Sequence, residues 1–302
     1  MKNIFLFLYL LFSQLSIFSQ VNTDSLPVIK TSLSKEPLHF DRPNFLGTLS
    51  RSPKNIYGIF KSPFTGNNWI RFGEISIGTT LLILKDQPVT DWVKKTSLKI
   101  GLTPDTKYKN ILQFGKTRII KVPQNLNSAL YQLGEGGTSM LVAGGLFIYG
   151  KVNKDWRAEQ TAYDLTETFV TMGITTQIIK RISGRQSPFK ATQPGGQWNP
   201  LPSFNRYQNN TSSLDAFPSG HLATMMATVT VLRKNYPEKK WLTPGGYSLI
   251  GLTGWAMVNT EVHWLSDYPL ALAIGYISGK LTTLQHSKMN AKRNIITEVK
   301  VF

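Results

Sequence analysis

The 302-residue chain contains no cysteine. That excludes a disulfide-stapled scaffold, thiolate catalysis and cysteine-held metal centres. Acidic residues are scarce as well: 17 Asp and Glu stand against 34 Lys and Arg, a formal charge of +17 at pH 7. Such a field draws in anions, whether nucleic acid, anionic lipid headgroups or phosphorylated small molecules. The cations are scattered rather than set in a stripe with interleaved aromatics, so nucleic acid is not the expected partner. Histidine occurs only four times, at well-separated positions and in no His-Glu-x-x-His arrangement, so neither a metal site nor a cofactor is expected. Long hydrophobic runs are missing too. Most uncharged stretches reach only about 10–16 residues, short of the roughly 17–25 that span a bilayer. The uncharged stretch 241–260 is longer, but Thr243-Pro244-Gly245-Gly246 breaks it. Mean hydropathy is −0.14, a soluble-protein value. These absences favour a soluble helical bundle, with a membrane-associated form as the alternative.

Lys2, an apolar run from Ile4 to Phe12 and the small Ser19 have the pattern of a signal peptide over residues 1–19. The chain is therefore expected to be exported, to a periplasm. Residues 20–65 carry Pro27, Pro37, Pro43, Pro53 and Pro63 among serines and lysines, which predicts an irregular lead-in. Residues 66–285 read as one helical domain. Apolar or amphipathic segments at 69–85, 137–151, 158–181, 219–234, 246–262 and 265–284 predict helices. The stretch 189–216, with Pro194, Gly195, Gly196, Pro200 and Pro202, predicts a polar loop. A coil tail is expected over 286–302.

Three short patterns carry the chemistry. Pro218-Ser219-Gly220-His221 opens an apolar helical run, and a helix entrance is an anion site because its first amides are unpaired. His263 and Asp267 are four residues apart, a spacing that lets a carboxylate hold one imidazole nitrogen and leave the other free to attack. Lys180 stands near the end of a helix that closes in Ser183-Gly184, with Arg185 just beyond. Each has a plain structural explanation: a cap, a surface His–Asp pair, a basic helix C-terminus. Their order along the chain is what sets them apart.

Lys180, then Ser219-Gly220-His221, then His263-x-x-x-Asp267 resembles the type-2 phosphatidic acid phosphatase and vanadium haloperoxidase superfamily over roughly residues 66–285. The resemblance implies an all-α helical bundle of the acid phosphatase/vanadium haloperoxidase type with a metal-free phosphate cage. By the same resemblance His263 is the nucleophile that forms a phosphohistidine, His221 the general acid and Asp267 the residue that orients His263. Lys180, Ser219 and Gly220 bind the phosphoryl oxygens. These donor types suit phosphoryl transfer, which needs charge neutralisation and positioning above all. Two positions depart from the pattern: Ser187 and Met257 stand where the family carries arginines. Arg185 is expected to fill the first gap as a phosphate-binding residue, with Arg206 a remote alternative. The expected function is metal-independent hydrolysis of phosphate esters on a small molecule or a lipid headgroup, with association at a membrane surface as the alternative to a soluble form. A non-catalytic anion- or phospholipid-binding relative is the competing reading, and a vanadate-dependent peroxidase is disfavoured by the depleted cage.

Overall fold

A computed structural model describes residues 40–114 and 117–299, with side chains undescribed at 114–120 and beyond 284. The signal peptide expected at 1–19 lies outside the described residues. Helices appear earlier than the prolines imply. α1 (Phe45–Leu49) is capped by the Asn44 side chain, and α2 (Ser52–Lys61) follows at once. Pro53 lies in the first turn of α2, where a missing N–H costs nothing. This part of the expected lead-in packs on the bundle, with Ile59 in the core and Asn55 bonded to Glu167.

The remaining helices are α3 (Asn68–Ile83), α4 (Asp86–Lys99), α5 (Leu126–Leu133), α6 (Gly136–Asn153), α7 (Trp156–Ser183), α8 (Phe204–Asn209), α9 (Gly220–Asn235), α10 (Leu242–Asn259) and α11 (Tyr268–Val299). The fold is all-α apart from an antiparallel hairpin, β1 (Tyr108–Phe114) and β2 (Thr117–Pro123). Where a coil tail was expected, α11 continues to Val299. After Gly279 the sequence has neither glycine nor proline to stop it.

The long helices pack through small residues. α9 and α11 approach so closely that a side chain at Gly275 would collide with the Ala223 carbonyl. Leu222, Met226, Ile250, Met257, Tyr268 and Leu272 fill the core around this contact. α7 runs through the middle with an unusual polarity. Thr161, Asp164, Glu167, Thr171, Thr175 and Lys180 are buried, while Ile174, Ile178 and Ile182 are exposed. On α6, Leu141, Ile148 and Val152 likewise face outward. That is the reverse of the usual amphipathic arrangement in water. Among the described residues no helix is long and apolar enough to cross a membrane.

Candidate active site

The three sequence patterns meet at the start of α9. Ser219 is the N-cap, its Oγ accepting from the Leu222 amide at 3.4 Å while its own amide donates to the Asp267 carbonyl at 3.0 Å. The helix entrance is thereby tied to the third motif. Lys180 arrives from the last turn of α7, with Nζ 3.8 Å from where a Cβ on Gly220 would lie. It donates to Asp215 Oδ2 at 3.3 Å. α7 stops at Gly184, which has φ +55° and packs so tightly on Asn199 that a side chain would collide with its carbonyl. Lys180, Ser219 and Gly220 thus converge as expected from their order in the sequence.

The two histidines face each other, with His221 Nδ1 and His263 Nε2 3.2 Å apart. His263 is buried in the turn between α10 and α11, and its Nδ1 lies 2.9 Å from the Ala216 carbonyl oxygen. A carbonyl only accepts, so that nitrogen carries the proton and Nε2 presents its lone pair. His221 Nδ1–H is then the donor across the pair. Asp267 Oδ2 stands 3.4 Å from His263 Nδ1, outside the shorter bond to Ala216. The carboxylate supports the imidazole electrostatically, and the backbone shares in setting its tautomer. Burial, reinforced by Lys180, holds His263 down to about 3. Enclosure, then His263, Lys180 and Lys121, push His221 well below the usual histidine range. Both rings rest neutral.

Arg185 is placed differently from expectation. It is fully buried, and Nη1 donates to Asp267 Oδ1 and Ser266 Oγ, each at 2.6 Å. Nη2 donates to Asp86 Oδ2 at 2.6 Å and to the Gly195 carbonyl at 3.1 Å. The indoles of Trp198 and Trp264 lie 4.7 and 5.4 Å from its guanidinium carbon. With both terminal nitrogens engaged by carboxylates, Arg185 holds Asp267 rather than joining Lys180 beside Gly220. Burial pushes Asp267 up to about 6 against the pull of Arg185. Asp86 is likewise raised to about 6, by burial first, with Arg185 opposing and Asp267 adding to the rise. The other proposed substitute, Arg206, is exposed on α8 and bonded to Asn199 Oδ1 at 3.2 Å. Met257 is core, and Ser187 is buried with its amide on the Ser212 carbonyl.

Several neighbours carry no motif of their own. Asp86, which opens α4, accepts from the Ser266 amide at 3.0 Å as well as from Arg185. Asp215 partners Lys180, and the Tyr131 ring meets His221 edge-on with centroids 5.1 Å apart. Lys121, on β2, brings a further positive charge towards His221 and pairs with Glu135 at 2.6 Å. Of these only Asp215 lies near a motif in sequence, three residues before Pro218; the others reach the site through tertiary packing. Among the described residues no group of His, Asp and Glu gathers as a metal site.

The model of the PAP2 superfamily matches residues 162–291, from α7 through all three motifs into α11. A lipid A 1-phosphatase from Porphyromonas gingivalis is 31% identical over 80 residues, covering 26% of this chain and 18% of that relative. The match therefore spans less than a fifth of the relative's length. No solved structure matches significantly. The region that brings Lys180, His221, His263 and Asp267 together lies within this match and is similar to the PAP2 superfamily, that of the type-2 phosphatidic acid phosphatases.

Proposed function

We propose that this chain is a phosphatase acting on lipid-linked phosphate esters, with His263 as nucleophile. The observation that carries this reading is the pair of facing, neutral imidazoles beside Lys180 and the entrance of α9. Lys180 Nζ, the Ser219 hydroxyl and the Gly220 amide would hold the phosphoryl oxygens, and the α9 dipole favours the negative charge. His263 Nε2 attacks phosphorus as the P–O bond to the leaving group breaks, giving a phosphohistidine. The arriving dianion raises the proton affinity of His221, which takes up a proton from solvent and, as the imidazolium, gives it to the leaving oxygen. In the second step His221 takes a proton from water, which attacks phosphorus and frees His263. A gap of 3.2 Å leaves no room for a phosphoryl group between the rings, so substrate must displace the His221–His263 hydrogen bond.

The lipid-linked class is supported by the named relative and by the outward apolar faces of α6 and α7. Those faces suit an acyl environment better than water, which favours the membrane-associated alternative over a freely soluble form. Export to the periplasm fits this reading. A second reading, a non-catalytic anion binder, is favoured by one observation: Arg185 is committed to Asp86 and Asp267, while Ser187 and Met257 add no charge.

Phosphate release from an aryl phosphate and from a lipid phosphate separates the two readings. His263→Ala should lose at least about 10⁴-fold in turnover, as removal of a catalytic nucleophile does. Turnover that survives in His263→Ala, or is absent from the unaltered chain on every phosphate ester, would overturn the proposal.

A further inference from the structure

A second concentration of charge lies at the other end of α9. From His221 to Arg233 is about 18 Å at a rise of 1.5 Å per residue. A cavity of about 340 Å³ opens there, lined among others by Arg233, Lys234, Lys239, Lys240, Thr243 and Tyr276. Among the described residues none of these four cations is paired with a carboxylate. Glu238, their neighbour in sequence, is taken by Arg157 at 2.7 Å. Arg233 Nη1 donates to the Tyr247 hydroxyl at 2.6 Å, which fixes its guanidinium in place.

Helix ends explain only half of this cluster. Arg233 and Lys234 fall in the last turn of α9, where cations are favoured by the dipole. Lys239 and Lys240 immediately precede α10, whose N-terminal end repels positive charge and whose N-cap, Trp241, makes no side-chain hydrogen bond. Four like charges around one concavity, two of them at an unfavourable helix end, call for an anion.

We propose that this cavity binds a phosphate-bearing anion at a site separate from the catalytic histidines. Its cations offer charge-assisted donors, and the Thr243 hydroxyl adds a neutral one. The volume suits a phosphate group with a small substituent rather than a polymer. The phosphate could belong to a lipid headgroup or to a soluble molecule, and the same cavity chemistry would recognise either. The proposal does not depend on the chain being a phosphatase.

Equilibrium dialysis of the purified full chain against labelled inorganic phosphate tests it. Two sites are expected. Lys239→Gln/Lys240→Gln should weaken one by about tenfold or more, the worth of a lost charge-assisted contact or two, and leave aryl phosphate turnover unchanged. Lys180→Ala should remove the other. A single site that Lys180→Ala abolishes, or a second site indifferent to Lys239→Gln/Lys240→Gln, would overturn the proposal. Flotation with phosphatidylcholine vesicles, with and without phosphatidylglycerol, separates the sources. Lys95→Gln/Lys99→Gln serves as a control of equal charge on exposed α4 positions. Vesicle binding lost only with the cavity pair makes a headgroup the ligand; phosphate binding lost with vesicle binding intact makes it a soluble one. Equal vesicle losses in both pairs with two-site phosphate binding unchanged would reduce the cavity to part of the general basic field and overturn it.

Discussion

α7 passes two buried polar clusters that meet the same problem in different ways. Just beyond its C-terminal end, Arg185 lies between Asp86 and Asp267, all three fully buried, and the carboxylates also accept from the amides of Ser266 and Trp264. Midway along, Glu167 is as deeply buried and accepts at 2.6 Å from the neutral amide of Asn55. Among the described residues no cation bonds to Glu167, although the charge of Arg51 acts on it from a distance, and the nearby buried hydroxyls of Ser52 and Thr168 have no hydrogen-bond partner. Burial pushes Glu167 up to about 7, against the opposing Asn55 bond, with Asp164 adding to the rise. The difference lies in the donors. Where a guanidinium and backbone amides bond directly, the carboxylates keep their charge at neutral pH; where an amide side chain bonds and Arg51 acts only from a distance, burial raises the group further. The fold keeps full charge next to His263 and lets it fade elsewhere.

Four substitutions sharpen or break this contrast. Asp267→Asn should have the largest effect, lowering turnover by about 10²–10⁴-fold while the fold survives, since it loosens the orientation of His263. Its pH counterpart has a definite sign. Asp267 and Asp86 titrate near 6 as a coupled pair, so activity should fall as pH drops through about 6. Stability should behave otherwise. The folded pKa of each carboxylate lies above the ordinary value of 3.8, so their contribution rises as pH falls from about 6 to about 4. His263 opposes them, since its folded value of about 3 is below 6.5 and its contribution is lost on acidification through that window. Near pH 5 the chain should therefore be folded by circular dichroism yet poorly active. Asp86→Asn removes the neighbouring negative charge and should move the acid limb to lower pH.

Arg185→Met comes next, with an expected loss of about 3–5 kcal/mol in chemical denaturation, the cost of stranding buried carboxylates. If Arg185 instead contacted substrate, stability would hold and binding alone would suffer. Glu167→Gln should have the smallest effect, within about 1 kcal/mol and without change in turnover, because a neutral side chain already approximates its state. A loss as large as that of Arg185→Met would mean Glu167 is held as a charge after all, and the contrast would fail.

The parts of the site legible in the sequence were those whose geometry is local. His263 and Asp267 share a turn, and Ser219, Gly220 and His221 share a helix entrance, so spacing alone placed them. Their convergence with Lys180 followed from the order of the motifs in a known family. Arg185 was misplaced because its role is fixed by Asp86, 99 residues away, on a helix with no motif. Lys121 and Tyr131 were invisible for the same reason. The inside-out polarity of α7 was hidden too. Its threonines are neutral in any hydropathy pattern, and only packing shows that Thr171 and Thr175 face inward while Ile174 and Ile178 face out. The early helices were masked by prolines that start helical turns as readily as they end them.

If the chain turns over phosphate esters as proposed, the hydrogen bond between His221 and His263 has a consequence for the end of the cycle. An enzyme that holds phosphate well also risks being clogged by the phosphate it makes. When inorganic phosphate leaves this site, the two imidazoles can close on each other at 3.2 Å and neither is stranded without a partner. Re-forming that contact offsets part of the free energy of dissociation, so departure of the product is easier than the strength of the cage alone would allow. Small oxyanions must open the same contact to enter. A substrate with a lipid tail has binding energy outside the cage to spend on that opening, and free phosphate has none. The pair of rings thus works as a latch that favours the esterified form over the product, and inorganic phosphate should bind the cage more weakly than a lipid-linked ester does.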